Sequence, residues 1–116
     1  MGTTRRLKQF NPEITCISLQ PDSAFHGLEG WKHMETAIVP PIYRDTLADE
    51  DRPTRTEGAY RIAKDLAKET GLFVSPSSAG ALSSAIEVAS ELDEGVVVTI
   101  LPDNAMKYLS ERFWTE

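Results

Sequence analysis

The stretch Gly71-Leu72-Phe73-Val74-Ser75-Pro76-Ser77-Ser78-Ala79-Gly80-Ala81-Leu82 changes character twice within twelve residues. Three apolar residues of strand type give way to serines, and the serines give way to small residues that open a helix. An apolar run followed at once by a polar turn and a helix start is the signature of a strand-to-helix unit in a parallel sheet. Ligands gather at such points in open α/β sheets, because loops and helix N-termini converge beyond the carboxyl ends of the strands.

On the C-terminal side, Ser78 to Leu92 reads as a helix. Gly95-Val96-Val97-Val98-Thr99-Ile100-Leu101 then reads as an almost wholly apolar strand, followed by Pro102-Asp103-Asn104 and a short helix from Ala105. On the N-terminal side, Ala59, Tyr60, Ala63, Leu66 and Ala67 recur at three- and four-residue spacing up to Gly71. That spacing predicts an amphipathic helix with a glycine stop, with Thr56 as its N-cap. Further back, Ile14 to Leu19 predicts a short strand, and Thr4 to Phe10 the tail of a helix stopped by Asn11-Pro12. Residues 21–56 are loop-rich, punctuated by Gly27, Gly30, Pro40, Pro41 and Pro53. Helix and strand alternate, which implies right-handed βαβ crossovers and a parallel sheet. The fold class expected is α/β, a partial three-layer sandwich of a mostly parallel sheet with flanking helices.

Composition narrows the function classes. At 116 residues the chain has room for one domain, and 41% hydrophobic with 26% charged residues is ordinary for a globular protein. Twelve Lys and Arg against eighteen Asp and Glu give a net charge of −6. That balance argues against nucleic acid, which needs a basic stripe to neutralise phosphates. The single cysteine, Cys16, lies in an apolar run where a thiol packs as a small hydrophobe, so neither an internal disulfide nor a cysteine-based metal site is available. No stretch reaches membrane-spanning length and no signal peptide is readable, so the cytoplasm is the expected compartment.

Read from the residues alone, Ser77 and Ser78 are helix-capping hydroxyls. A resemblance adds a second meaning. The stretch from Gly71 to Leu82, together with Ile100-Leu101-Pro102-Asp103-Asn104-Ala105-Met106-Lys107-Tyr108-Leu109-Ser110, resembles the C-terminal part of cysteine synthases, the pyridoxal-phosphate (PLP) enzymes of fold type II, and especially the cysteine synthase B branch. The family pattern there is apolar strand, Gly, apolar residue, Ser, Ser, Gly, Ala. Its first serine, which hydrogen-bonds the pyridine nitrogen of PLP, maps onto Ser77, with Ser78 as the helix cap beside it. A neutral hydroxyl opposite the ring nitrogen does not hold a proton there and moderates the ring as an electron sink.

Asp22-Ser23-Ala24-Phe25-His26-Gly27-Leu28-Glu29-Gly30-Trp31-Lys32-His33-Met34 resembles the family loop that leads to a glycine beside cofactor and substrate. Gly30 takes that position, where backbone must approach a planar ring closely. Lys32 and His33 follow where some cysteine synthase B members carry basic residues, so they are either holders of an anionic substrate or two exposed loop residues. Asp103 is either part of the site's outer framework or the cap of the short helix from Ala105. His26 and His33 lack the companions of a metal site.

The resemblance implies one incomplete domain over residues 1–116, with the Schiff-base lysine and the phosphate loop upstream of Met1. No catalytic residue is therefore assigned within the chain. It further implies β-replacement of an activated serine (O-acetylserine or similar) by a sulfur donor to give L-cysteine, with a chain that is silent alone. The implied partners are a small amino-acid substrate and the missing N-terminal half or a homodimer partner. Two other readings remain open: one half of a split enzyme, and a non-catalytic remnant or interaction module. Three departures from the family pattern stand out: Ala79 in place of its glycine with Gly80 following, Ala105 where relatives often have glycine, and Asp51-Arg52-Pro53-Thr54-Arg55 in place of an apolar segment, which predicts a weakened strand.

Overall fold

The computed structural model describes all residues, 1–116. Helix α1 spans Gly2–Phe10, strand β1 Ile17–Pro21, strand β2 Glu50–Thr54, helix α2 Thr56–Thr70 and helix α3 Pro76–Ser90, followed by single 3₁₀ turns at Met106–Tyr108 and Arg112–Trp114. The two strands pair in parallel, from Ile17 opposite Glu50 to Pro21 opposite Thr54. The α/β class with a parallel sheet is therefore the observed one. The connection between the strands is the long loop of residues 22–49 rather than a crossover helix.

The charged segment before α2 forms a strand. On β2 only Thr54 is buried, so polar residues meet water at the other positions. Pro53 is tolerated because a two-stranded sheet consists only of edges. Side chains reinforce the pairing: Ser18 Oγ donates to Asp51 Oδ1 at 2.6 Å and Gln20 donates to the same carboxylate. Arg52 forks onto both Glu91 oxygens at 2.8 Å, tying β2 to the end of α3. This fork holds the Glu91 carboxyl below its ordinary range.

Helix α2 ends as its sequence predicts, with Gly71 in the left-handed region at φ +75° and its N–H on the Ala67 carbonyl. Its start differs by one residue. Arg55 holds the N-cap position without a side-chain cap, and the Thr56 hydroxyl instead accepts from the Gly27 N–H at 3.0 Å, which anchors the long loop. Ala59 and Ala63 are fully buried on the face toward α3. Small residues there let the two helices approach closely. Leu28, Val74, Ala79 and Phe113 complete the core, and Phe113 stacks on Tyr60 with centroids 4.2 Å apart. Burial raises the Tyr60 phenol above its ordinary value, with Glu111, Glu29 and Glu57 adding to the shift.

Two expected strands are absent. Residues 72–74 contribute only a one-residue antiparallel bridge, Val74 with Asn104, and residues 96–101 form no ladder at all. The latter run is apolar, yet Val96 is 89%, Val98 84% and Ile100 70% exposed. Helix α1 buries none of its residues; Lys8 fastens it through a 2.7 Å ion pair to Asp49.

Candidate functional site

The head of α3 is built by residue 75. Proline is favoured at the first helical position, where no intrahelical N–H is needed, and Pro76 occupies it. The N-cap is therefore Ser75, whose Oγ accepts from the Ser78 N–H at 3.2 Å, and not Ser78 as the sequence pattern suggested. The proline was the available signal for that assignment. Ser75, Ser77, Ser78 and Ala79 are all buried, Ser77 with 6% of its surface exposed.

The segment after residue 101 closes over these serines. The Ser75 N–H donates to the Asp103 carbonyl at 3.3 Å and the Ala105 N–H to the Phe73 carbonyl at 3.2 Å, flanking the Val74–Asn104 bridge. Asp103 is thereby held against the helix start. Its carboxylate accepts from the Ser75 hydroxyl, and the Ser78 hydroxyl donates to the Asp103 carbonyl at 3.0 Å. Asp103 is thus bonded within the serine cluster and caps no helix; the turn that follows is bonded by Asn104, whose Oδ1 accepts from the Met106 N–H. Ser77 Oγ lies 3.2 Å from Ser75 Oγ.

Gly30 sits on a loop that reaches the same helix. Leu28 is fully buried, and a side-chain carbon at Gly80 would come within 3.2 Å of Leu28 and 3.6 Å of Trp31. Glycine at 80 thus lets the 28–31 loop lie against α3, which gives the exchanged Ala79-Gly80 order a packing reason. Gly30 itself has φ +85° with open space around the missing side chain, a conformation in which other residues are strained.

The basic pair diverges. Lys32 is exposed and lines an open cleft of about 300 Å³ with Gln20, Trp31, Tyr43 and Asp51, on the β1 side. His33 Nδ1 lies 3.0 Å from Thr36 Oγ1, within a turn closed by the Ala37 N–H on its own carbonyl. His26 Nδ1 accepts from the Leu28 N–H at 3.2 Å, a loop-shaping role. No group of three or more His, Cys, Asp or Glu side chains converges, and no helix is long and apolar enough to cross a membrane.

A planar heterocycle can be tested against this arrangement. A buried hydroxyl at a helix head matches one ring-nitrogen atom in chemistry, and an unobstructed glycine on a loop packed against that helix suits close approach of a flat face. The hydroxyl and the glycine suit such a group in chemistry.

The fold is that of the C-terminal part of O-acetylserine sulfhydrylase-type α/β enzymes. The O-acetylserine dependent cystathionine beta-synthase structure from Helicobacter pylori superposes with a TM-score of 0.81 at 34% identity, over 95% of this chain and 38% of that one. The sequence places the chain within a family. It is 44% identical over its whole length to a cysteine synthase of Aquifex aeolicus, covering 37% of that protein. It is also 34% identical over 95% of its length to cysteine synthase B of Pseudomonas aeruginosa, covering 36% of that one. The chain belongs to the cysteine synthase family, whose enzymes depend on PLP, and spans little more than a third of the length of these relatives. No family model matches it.

Proposed function

We propose that the chain provides the ring-nitrogen wall of a PLP site in a cysteine synthase, the lysine and phosphate walls coming from polypeptide outside residues 1–116. What supports this reading is the buried Ser77 hydroxyl at the head of α3, 3.2 Å from Ser75 Oγ. PLP, when bound, supplies the electron sink for β-replacement at an amino acid. Ser77 would meet the ring nitrogen, and Gly30 would give the ring face an unobstructed backbone. Lys32, exposed on the loop just beyond, attracts an anionic substrate, and His33 steadies the turn beside it. In the reaction the Cβ–O bond of O-acetylserine or a similar activated serine breaks, with acetate or its equivalent leaving with the bonding pair. A Cβ–S bond then forms to a sulfur donor that gives up its proton.

The reading is tested by complementation. The chain is mixed with PLP and with the part of the Aquifex aeolicus enzyme that precedes the matched region, and cysteine formation is followed. Turnover only in the mixture, lowered at least about tenfold by Ser77→Ala, is the expected result. An unchanged rate with Ser77→Ala overturns the assignment. One observation favours a second reading, an interaction module: the apolar run 96–101 is exposed and pairs with no strand. Binding of the chain to the complementing part without any turnover would support it.

A further inference from the structure

We propose that Asp103, acting through Ser75, fixes Ser77 as a hydrogen-bond acceptor, so that a ring edge meeting Ser77 must present an N–H. The inference rests on the placement of Ser77 at the ring nitrogen proposed above. Each serine hydroxyl has one proton to donate, and an ionised carboxylate has none. Ser75 Oγ has three oxygens in reach to which it can donate: Asp103 Oδ1, Ser78 Oγ at 2.9 Å and Ser77 Oγ at 3.2 Å. The charged acceptor makes the stronger bond, so the Ser75 proton goes to Asp103.

Ser78 does not compete for the Ser75 oxygen through its hydroxyl. Its proton is directed to the Asp103 carbonyl at 3.0 Å, with Oδ1 as a longer alternative at 3.4 Å. The Ser75 oxygen keeps two lone pairs. One accepts from the Ser78 N–H at 3.2 Å, and the other is open only to the Ser77 hydroxyl. The Ser77 proton is thus spent inward on Ser75, and its oxygen has only acceptor capacity left.

This link belongs to the present chain. The family pattern has glycine at position 75, which offers no hydroxyl to receive the Ser77 proton. There the first serine is free to donate to an unprotonated ring nitrogen. Here the favoured partner is a protonated one, a pyridinium N–H, and the ring becomes a stronger electron sink. Asp103 and Ser75 are positioning residues in this account; neither touches the ring.

The test locates protons directly. Neutron diffraction from deuterated crystals of the 116-residue chain should show deuterium on Ser75 Oγ toward Asp103 and on Ser77 Oγ toward Ser75. Deuterium on Ser75 directed at Ser77, or on Ser77 directed away from Ser75, overturns the proposal, and this arm requires no variant and no cofactor. PLP labelled with ¹⁵N in the ring, added to the chain complemented by the part of the Aquifex aeolicus enzyme that precedes the matched region, gives the second readout. The nitrogen shift should be that of a protonated ring with the wild-type chain and with Ser75→Thr, which keeps the hydroxyl, and should move to the unprotonated position with Ser75→Gly. An unprotonated ring on the wild-type chain also overturns the proposal. Failure to bind PLP at all counts against the proposed function instead, while the deuterium positions still decide the inference.

Discussion

Two apolar runs that read alike in sequence, Leu72 to Val74 and Val96 to Leu101, end in different states. The first runs into Ser75 and is fastened on both sides of Val74 to residues 103–105, with the serine cluster and Leu28 packed around it. The second lies largely exposed with no strand paired beside it. Apolar patterning states a demand for burial, while a strand also needs a neighbour to complete its ladder. The region carrying Ser77 is closed by its own chain. The 96–101 run leaves that demand unmet within residues 1–116, which is why the proposed function looks to further polypeptide.

Breaking the closed region should cost most at its centre. Leu28→Ala opens a cavity between the loop and α3 and is expected to lower stability by about 2–5 kcal/mol, read from the urea midpoint. Thr54→Val comes next. It leaves the buried Ser84 hydroxyl without the partner now 2.7 Å away, a loss of about 1–3 kcal/mol in the same measurement. Ser75→Ala removes the α3 cap at about 1 kcal/mol, and a thermal melt showing no change would contradict the capping assignment.

A smaller effect is confined to acid. Asp49 accepts from the Cys16 N–H at 2.7 Å and pairs with Lys8. The backbone bond first and then the lysine hold its carboxyl below the ordinary range. A lowered folded pKa means that this contribution is present above about pH 4 and is lost as pH falls through the folded value. Asp49→Asn should therefore flatten the decline of the melting temperature in acid, part of which remains through Glu91. The open region should respond least. Val98→Lys is expected to change stability by less than about 0.5 kcal/mol, read from the urea midpoint; a large loss of stability would mean that the run is buried after all.

Much of this architecture was legible from residue patterns. The periodicity of Ala59, Tyr60, Ala63 and Leu66 with a glycine stop located α2, and Asn11-Pro12 located the end of α1. The parallel pairing of β1 with Glu50 to Thr54 was not legible, because a strand bearing Glu, Asp, Arg and Pro follows no apolar alternation and is stabilised by side-chain bonds across the pair. At the candidate site, the family pattern pointed to Ser77, which lies buried at the head of α3, and to Gly30, in a left-handed turn of the long loop. Ser75 was hidden by a local ambiguity among three nearby serines, which only the Pro76 rule resolves. The Asp103 contact joins residues 28 positions apart, a distance over which sequence carries no geometric signal.

The proposed function gives the chain one wall of a cysteine synthase site and leaves the other walls to further polypeptide. The most direct measurement is cysteine formation by the purified chain alone, supplied with PLP, O-acetylserine and sulfide beside a full-length relative as control. The account predicts no formation above the reagents without protein. Steady turnover proportional to the concentration of the chain would contradict it.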